Sequence, residues 1–231
     1  MDWLQNINLG SVLIQMAVLL FSLSLHEASH AWMADRLGDY TARYLGRVTL
    51  NPIAHIDPIG TLLFPLLQFF TGLPLIGWAK PVPINPAHLH RPQRDQMLIS
   101  LAGPGSNLLA GMVAFGSLAL LKIASPESAG LLINMIVTMS VPQERSVLTP
   151  LVGLLFFALV INLALAIFNL IPIPPLDGHW ILHGVLPYNA SRALERMSAF
   201  GIVILYGMMF LGVLRFLFIP LWWVVSLLLH L

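Results

Sequence analysis

Seven uncharged, strongly apolar stretches restrict what this chain can fold into. They cover residues 3–25, 58–79, 96–121, 128–143, 146–176, 197–214 and 216–231. A membrane-spanning helix needs about 20 mostly apolar residues, so at least four stretches are long enough to cross a bilayer. Only 9% of the residues are charged, whereas soluble domains average about 25%. The sequence therefore predicts an all-α polytopic membrane protein.

The remaining composition narrows the possible chemistry. The first apolar stretch is preceded by no basic residue, so we expect it to stay in the protein as a helix and not to be removed as a signal peptide. The chain has no cysteine, which excludes disulfides, iron–sulfur clusters and thiolate metal ligands. Its net charge of +1 gives no indication of nucleic-acid binding. Any metal must therefore be held by histidine and carboxylate side chains.

Residues 26–30, with the sequence HEASH, form the most informative motif. His26 and His30 are four residues apart, so on a helix their imidazoles lie one above the other and can bind one ion. Glu27 lies about 100° around the helix, beside the pair. In this position it can reach a metal-bound water as a general base without being a ligand. The alternative is a chance arrangement of buried side chains, but ionisable groups ending an apolar stretch are costly unless something satisfies them.

A hydrolytic metal site usually has three protein ligands, so a third is needed. Asp177 directly follows the uncharged stretch 146–176, whereas the other acids outside the motif lie in polar or terminal segments. Three prolines before Asp177 prevent a regular helix, and Gly178 permits a tight turn. Asp177 is therefore the predicted third ligand.

Three segments together resemble the signature of site-2 proteases, the intramembrane zinc metalloproteases. They are HEASH, LAGPGSN at 101–107 and NLIPIPPLDG at 169–178. The intervening NPIAHIDPIGTLLFP and GWAKPVPINP resemble the short bacterial and archaeal branch, and no PDZ-like or CBS-like segment is present. The resemblance covers most of residues 15–190.

The resemblance implies one zinc ion bound by His26, His30 and Asp177, with Glu27 as the catalytic base. It implies that Asn169 lines the active site and binds substrate, and that the substrate is a membrane-spanning protein or peptide segment. We expect one domain over residues 1–231, with a catalytic core at about 9–190 and a C-terminal membrane region at 197–231. Two other classes remain open: a metal-ion transporter, and a binding module that has lost catalysis.

The ligands must meet at one depth, which restricts the topology. The helices carrying His30 and Asp177 must run in the same direction, so an odd number of crossings lies between them. Residues 128–143 would form only about 24 Å of helix, too short for a span. We therefore predict about four transmembrane helices, with 58–79 re-entrant. Eight of the eleven basic residues then share one side, marking it and the nearby active site as cytoplasmic: Arg36, Arg43, Arg47, Lys80, Arg91, Arg94, Arg192 and Arg196.

Other segments give further predictions. Residues 41–50 have no helical pattern and are predicted to form a short membrane-associated β-hairpin whose edge pairs with an unwound substrate; the resemblance implies a β segment here as well. Ala102, Gly103 and Gly105 are expected to pack against the metal helix, and Asn107 to bond a neighbouring backbone.

Three of the histidines outside the motif also carry predictions. His55 is interpreted as a loop anchor, with a substrate-channel role as the alternative. His179 and His183 are interpreted as polar residues of a short helix near the membrane surface, with a second metal site or a role in lining the active site as the alternatives. The sequence does not indicate the physiological substrate, the oligomeric state or the regulation.

Overall fold

The computed structural model describes residues 8–71, 77–143 and 146–230, and within them the chain forms helices and irregular segments without a strand. The helices are, in chain order, α1 (Leu9–Arg36), α2 (Thr41–Tyr44), α3 (Phe64–Thr71), α4 (Pro92–Ala124), α5 (Pro126–Thr138), α6 (Leu148–Asn169), α7 (Asp177–Val185), α8 (Tyr188–Arg196), α9 (Gly201–Phe210), α10 (Leu214–Leu217) and α11 (Ile219–His230).

Four helical runs in the described residues are long and apolar enough to cross a membrane: Leu9–Arg36, Pro92–Ala124, Leu148–Asn169 and Asn189–Phe210. This confirms the prediction of a polytopic helical membrane protein. With 13 residues, α5 is only about 20 Å long, shorter than the roughly 30 Å hydrocarbon core. Its exclusion as a span is therefore consistent with the structure.

The helices α1, α4 and α6 pack against one another and form the framework of the fold. Their shared core contains Val18, Leu118, Phe156 and Leu163, together with side chains of α5 and α11. Gly111 permits the close approach of α4 and α6, because a Cβ there would lie 3.0 Å from Leu163. Buried apolar packing thus fixes the three helices on which the site depends.

The long helices α1 and α4 begin or end at local signals. Asn8 caps α1 by accepting the Ser11 N–H at 3.1 Å, and Gly38 ends the following turn at φ +103°. The helix α4 begins with Pro92, and the Asp95 carboxylate accepts the Arg91 N–H at 2.8 Å. Such caps satisfy the backbone N–H groups that have no partner inside the helix.

The predicted β-hairpin at residues 41–50 is wrong. The Asp39 carboxylate accepts bonds from both the backbone N–H and the hydroxyl of Thr41, which starts the short helix α2 in place of a strand. Ala42 is then buried with Ala31 and Val82, and Arg47 N–H closes the turn on Ala42 O at 2.8 Å. Tertiary burial of Ala42 therefore decides the conformation of this segment.

Residues 77–85 form an extended, proline-containing segment that we call the strap. The Lys80 N–H donates to His55 O at 2.9 Å, and the Trp78 N–H donates to Gly60 O at 3.2 Å. The Asn85 N–H donates to the Asp39 carboxylate at 2.7 Å. The strap is thus fastened to the loop after α1 and to the turn that precedes α3.

Asp39 is the buried centre of this attachment. Its side chain has no exposed surface and accepts bonds from Thr41, Asn85 and His88. Burial alone would raise the pKa of Asp39, but these hydrogen bonds outweigh it and lower the pKa below its usual value. The ionised carboxylate therefore holds the end of α1 against the strap.

The C-terminal region is interrupted, not one continuous helix. Gly212 has φ +71° and lies between α9 and α10. Lys122, in the last turn of α4, donates to Leu228 O at 2.6 Å and to Leu229 O at 3.2 Å near the end of α11. The carbonyls that end α11 are thereby satisfied by a side chain of α4.

Candidate metal centre

Three of the predicted site residues meet in the interior. The His26 and His30 Nε2 atoms are 3.0 Å apart, and Asp177 Oδ2 lies 3.1 Å from the first and 3.3 Å from the second. Both histidines are buried. Among the described residues, these three form the one group of ligand-type side chains close enough to hold a single metal ion. The structure therefore brings together predicted ligands that lie near the two ends of residues 15–190, the part of the chain that resembles site-2 proteases.

Hydrogen bonds determine which ring nitrogens face the centre. His30 Nδ1 donates to Ile99 O at 2.7 Å, and His26 Nδ1 donates to Asn107 Oδ1 at 2.6 Å. With Nδ1 protonated in each neutral ring, the Nε2 lone pairs point towards each other. Such a donor bond to the second nitrogen is typical of metal-binding histidines.

The contacts of Asn107 and Asn162 assign the direction of the bond between His26 and Asn107. Asn107 Nδ2 donates to Ser22 O at 3.2 Å and to Asn162 Oδ1 at 2.8 Å, so its oxygen is left to accept from His26. Asn162 in turn donates to Ser22 Oγ at 2.9 Å and to Ala158 O at 2.8 Å. We call Asn162, Asn107 and His26 the asparagine chain. It links α6, α4 and α1 in the buried core.

The donor set fits a divalent cation. Two imidazole lone pairs and a carboxylate oxygen face one another, and buried Asp177 Oδ2 has no hydrogen-bond partner. Three converging acceptors without a donor repel each other, whereas a cation satisfies them together. Two histidines and one carboxylate are also a ligand set found in hydrolytic zinc sites.

The backbone around Asp177 explains how the carboxylate reaches the histidines. Residues 170–176 form turns after α6, and Asp177 is the first residue of α7. Gly178 lies against the end of α6, because a Cβ there would approach Leu170 O and Ile171 O to 2.4 Å. A side chain at this position would push Asp177 away from the histidines.

Glu27 lies next to the group but does not belong to it. Its Oε2 accepts the backbone N–H of Val82 from the strap at 3.0 Å, which leaves Oε1 for proton transfer. Glu27 also lines a cavity of about 740 Å³ together with His26, His30 and Asp177. Its placement fits the predicted general base.

The cavity extends from these residues along the strap and towards α9. Trp78 and Val82 line one side, and Leu205 and Tyr206 line another. Asn169 also lines it, while its Nδ2 donates to Leu165 O at 2.9 Å. The cavity volume lies within the range of roughly 300–1,000 Å³ typical of ligand pockets. Asn169 therefore borders the cavity as the sequence predicts, although its role towards substrate stays a prediction.

The small residues of LAGPGSN do not share one role. A Cβ on Gly103 would lie 2.4 Å from His30 Nε2 and 2.7 Å from His26 Cε1, which confirms that Gly103 packs against the metal helix. A Cβ on Gly105 would meet no atom of another residue within 4 Å, so the prediction is wrong for this residue. The backbone of α4 thus approaches the imidazoles at one glycine.

The three other histidines interpreted from the sequence are placed as follows. His55 is buried, its Nε2 donates to Thr49 O at 2.8 Å and its carbonyl holds Lys80, which confirms the loop-anchor interpretation. His183 contacts the Glu195 carboxylate at 3.0 Å on the surface between α7 and α8. His179 is buried, and its ring centroid is 6.4 Å from that of His183. The structure gives no support to a second metal site in the described residues.

Two contributions to the site were missed in the sequence. The predicted bond of Asn107 to a neighbouring backbone is confirmed by its contact with Ser22 O, but its bond to His26 was not predicted, and Asn162 was not singled out. Asparagines inside apolar helices are themselves a signal, because each must find a partner in the core. The contribution of the Val82 N–H could not be predicted from the sequence, because every residue except proline has a backbone N–H group.

The chain combines helices long enough to cross a membrane with an HExxH segment, a carboxylate that converges on it and a cavity beside them. These features define the class of membrane-embedded metallopeptidases. The chain belongs to peptidase family M50, whose model matches residues 14–214. It is 34% identical over 188 residues to "Putative zinc metalloprotease YwhC" of Bacillus subtilis, covering 80% of this chain and 75% of that protein.

Two mycobacterial relatives are similar at comparable levels. "Putative zinc metalloprotease Rip2" of Mycolicibacterium smegmatis is 31% identical over 195 residues, covering 84% of this chain and 66% of that protein. The Mycobacterium tuberculosis H37Rv protein of the same name is 33% identical over 199 residues, covering 85% and 66%. No solved structure matches the chain.

Proposed function

We propose that this protein is an intramembrane zinc endopeptidase that cleaves peptide bonds within membrane-spanning segments of other proteins. The observation that carries the proposal is the group of His26, His30 and Asp177 at the wall of a large cavity, with Glu27 beside it. Membership of peptidase family M50 and the names of the relatives support it.

The residues have separate roles in the proposed mechanism. His26, His30 and Asp177 would hold the zinc ion, which when bound activates a water molecule and polarises the scissile carbonyl. Glu27 accepts a proton from the attacking water and passes it to the leaving amine nitrogen. The Val82 N–H fixes the other carboxylate oxygen during these transfers. Asn169, at the cavity wall, orients the substrate chain.

The chemistry also restricts the substrate. The amides of a continuous helix are shielded by its own turns, so the segment must unwind before its carbonyl reaches the site. The cavity provides an apolar wall for such a segment between the strap and α9. The substrate class is therefore a membrane-spanning protein segment with a locally unwound stretch.

Purified protein should cleave a generic membrane-spanning substrate, and a zinc chelator should abolish the cleavage. The reason is that water activation requires the bound ion. Substrate and products would be separated by gel electrophoresis, and zinc added back after chelation should restore the rate. Cleavage that continues in metal-free protein would rule out the proposed chemistry, and zinc translocation without cleavage would indicate a transporter.

Gly103→Ala is expected to weaken zinc binding by roughly 10- to 100-fold, the cost typical of disturbing the surroundings of metal ligands. The added methyl group would lie within 2.7 Å of atoms in both imidazoles. The measurement is the zinc content of purified protein after competition with a chelator series.

Gly105→Ala is the matched control, because it adds the same methyl group to α4 in open space. It should retain the zinc affinity of the parent. Equal affinities for the two alanine variants would show that the contact at Gly103 does not restrict the centre.

We also propose that residues 58–79 are re-entrant and that the active site faces the cytoplasm. The contact between Lys80 and His55 places the end of this segment next to its beginning, and the Trp78–Gly60 bond does the same one turn further in. Both connections favour entry and exit on one side of the membrane. The shared side of most basic residues favours the cytoplasmic side.

Single cysteines introduced at Asp57 and Lys80 should both react with a membrane-impermeant thiol reagent from the cytoplasmic side only. The chain has no natural cysteine, so the labelling background is low. Inside-out vesicles and intact cells provide the two orientations for the measurement. Labelling of the two positions from opposite sides would replace the re-entrant segment with a full crossing.

A further inference from the structure

A second cleft of about 380 Å³ lies away from the metal centre, between the end of α1 and the start of α4. Four cationic or ionisable basic side chains line it: Arg36, His90, Arg91 and Arg94. We call it the arginine cleft. Gly38 shapes its floor, since at φ +103° it turns the chain beneath the His90 ring.

The positive charges that line the arginine cleft outnumber its negative charges, because three arginines share it with one carboxylate. Within the described part of the chain, none of its three arginines forms an ion pair with a carboxylate. Asp95, which also lines the cleft, is buried and uses Oδ2 to accept the Arg91 N–H. Asp35, close by in sequence, pairs with Arg43 at 2.5 Å. The guanidinium groups are therefore available to an anion.

The position of the cleft favours an anion at the membrane border. The apolar portions of α1 and α4 both stop at this cleft, because charged residues lie in the last turn of α1 and in the first turn of α4. The Arg36 guanidinium lies 5.1 Å from the Trp32 ring centroid, and exposed tryptophans are enriched at headgroup level. Trp32 is 47% exposed. The cleft therefore opens where lipid phosphates lie.

An apolar surface continues from the cleft into the membrane. Leu98 lines the cleft one helical turn after Arg94, and exposed Leu101 follows on the same side of α4. Trp32 lies one turn before Arg36 on α1. Cationic groups at the border followed by exposed apolar side chains match a charged headgroup with its acyl chains.

We propose that the arginine cleft binds the phosphate of an anionic phospholipid, with the acyl chains along Trp32, Leu98 and Leu101. Guanidinium groups bind phosphate oxygens with two parallel N–H donors. The inference does not depend on the proposed protease activity. It assigns a lipid site on the outer surface of the two helices that carry and flank the metal group.

The test compares two double variants that remove the same charge. Arg91→Gln/Arg94→Gln alters the cleft, and Arg192→Gln/Arg196→Gln removes two arginines from α8. Native mass spectrometry of the detergent-solubilised full chain would measure bound phosphatidylglycerol across a concentration series, with phosphatidylcholine as the neutral comparison. The cleft variant should bind phosphatidylglycerol roughly 10- to 30-fold more weakly, as expected for two arginines near a membrane surface. The α8 variant should bind it like the parent.

Three outcomes would overturn the proposal. Equal weakening in both double variants would mean that binding depends on general surface charge. Equal retention of the two lipids would mean that the cleft does not recognise the net negative charge of the headgroup. Displacement of phosphatidylglycerol by an equal concentration of inorganic phosphate would assign the cleft to a soluble anion. The single variant Arg94→Gln, with its thermal unfolding midpoint measured beside the parent, keeps the test decisive if the double variant does not fold.

Discussion

Glu27→Gln should lower cleavage of a membrane-spanning substrate by at least about 100-fold, the lower range of what a positioned acid–base group contributes. Glutamine keeps the size of the side chain and can still accept the Val82 N–H through its carbonyl oxygen. It cannot accept a proton from water. The cleavage rate and the zinc content of the same purified sample are the two measurements, and zinc should remain at about one per chain.

Glu195→Gln is the control for this experiment. It also removes one carboxylate, but on the surface, where Glu195 contacts His183. Its cleavage rate should stay near that of the parent. A parental rate in Glu27→Gln would refute the proposed mechanism. If Glu27→Gln instead loses zinc as fully as His26→Ala, Glu27 is a ligand and the assignment of Asp177 must be reopened.

Asp177→Ala should weaken zinc binding by more than the roughly 10- to 100-fold that loss of an outer-shell partner typically costs. The variant leaves only two protein ligands where a hydrolytic site usually has three. It also removes the single negative charge among the three converging groups. Chelator competition measures the affinity, and cleavage should be lost in parallel.

Asp57→Ala provides the comparison, because it also removes a carboxylate at the start of a helical segment, where Asp57 caps the first N–H groups. It lies outside the metal group and should keep full zinc occupancy. Full occupancy in Asp177→Ala would remove Asp177 from the site, whatever its distance from the histidines.

The sequence predicts the parts of the site that follow from local geometry or from the elimination of other candidate residues. The spacing of His26 and His30 defines a common face on any helix. Asp177 could be selected because it directly follows the longest uncharged stretch and proline and glycine shape its turn. The structure brings these residues together, and their function as ligands stays a prediction until zinc is measured.

The parts that the sequence does not predict depend on contacts between distant segments. The bond between His26 and Asn107 joins residues 81 positions apart, and that between Asn107 and Asn162 joins residues 55 apart. The error at residues 41–50 has the same origin. Its side chains are compatible with a strand, but Asp39 and the burial of Ala42 select a helical turn. Local propensity is a weak guide where tertiary contacts oppose it.

The asparagine chain makes the metal centre sensitive to how the three long helices are arranged. Each of its bonds crosses a helix boundary and is only 2.6–2.8 Å long, so a rigid-body displacement of α6 by about 1 Å would lengthen such a bond beyond hydrogen-bonding distance. Asn107 would then lose one of the two bonds that orient its amide, and its hold on the His26 imidazole would weaken. The orientation of the His26 ring on α1 is thereby coupled to the position of α6.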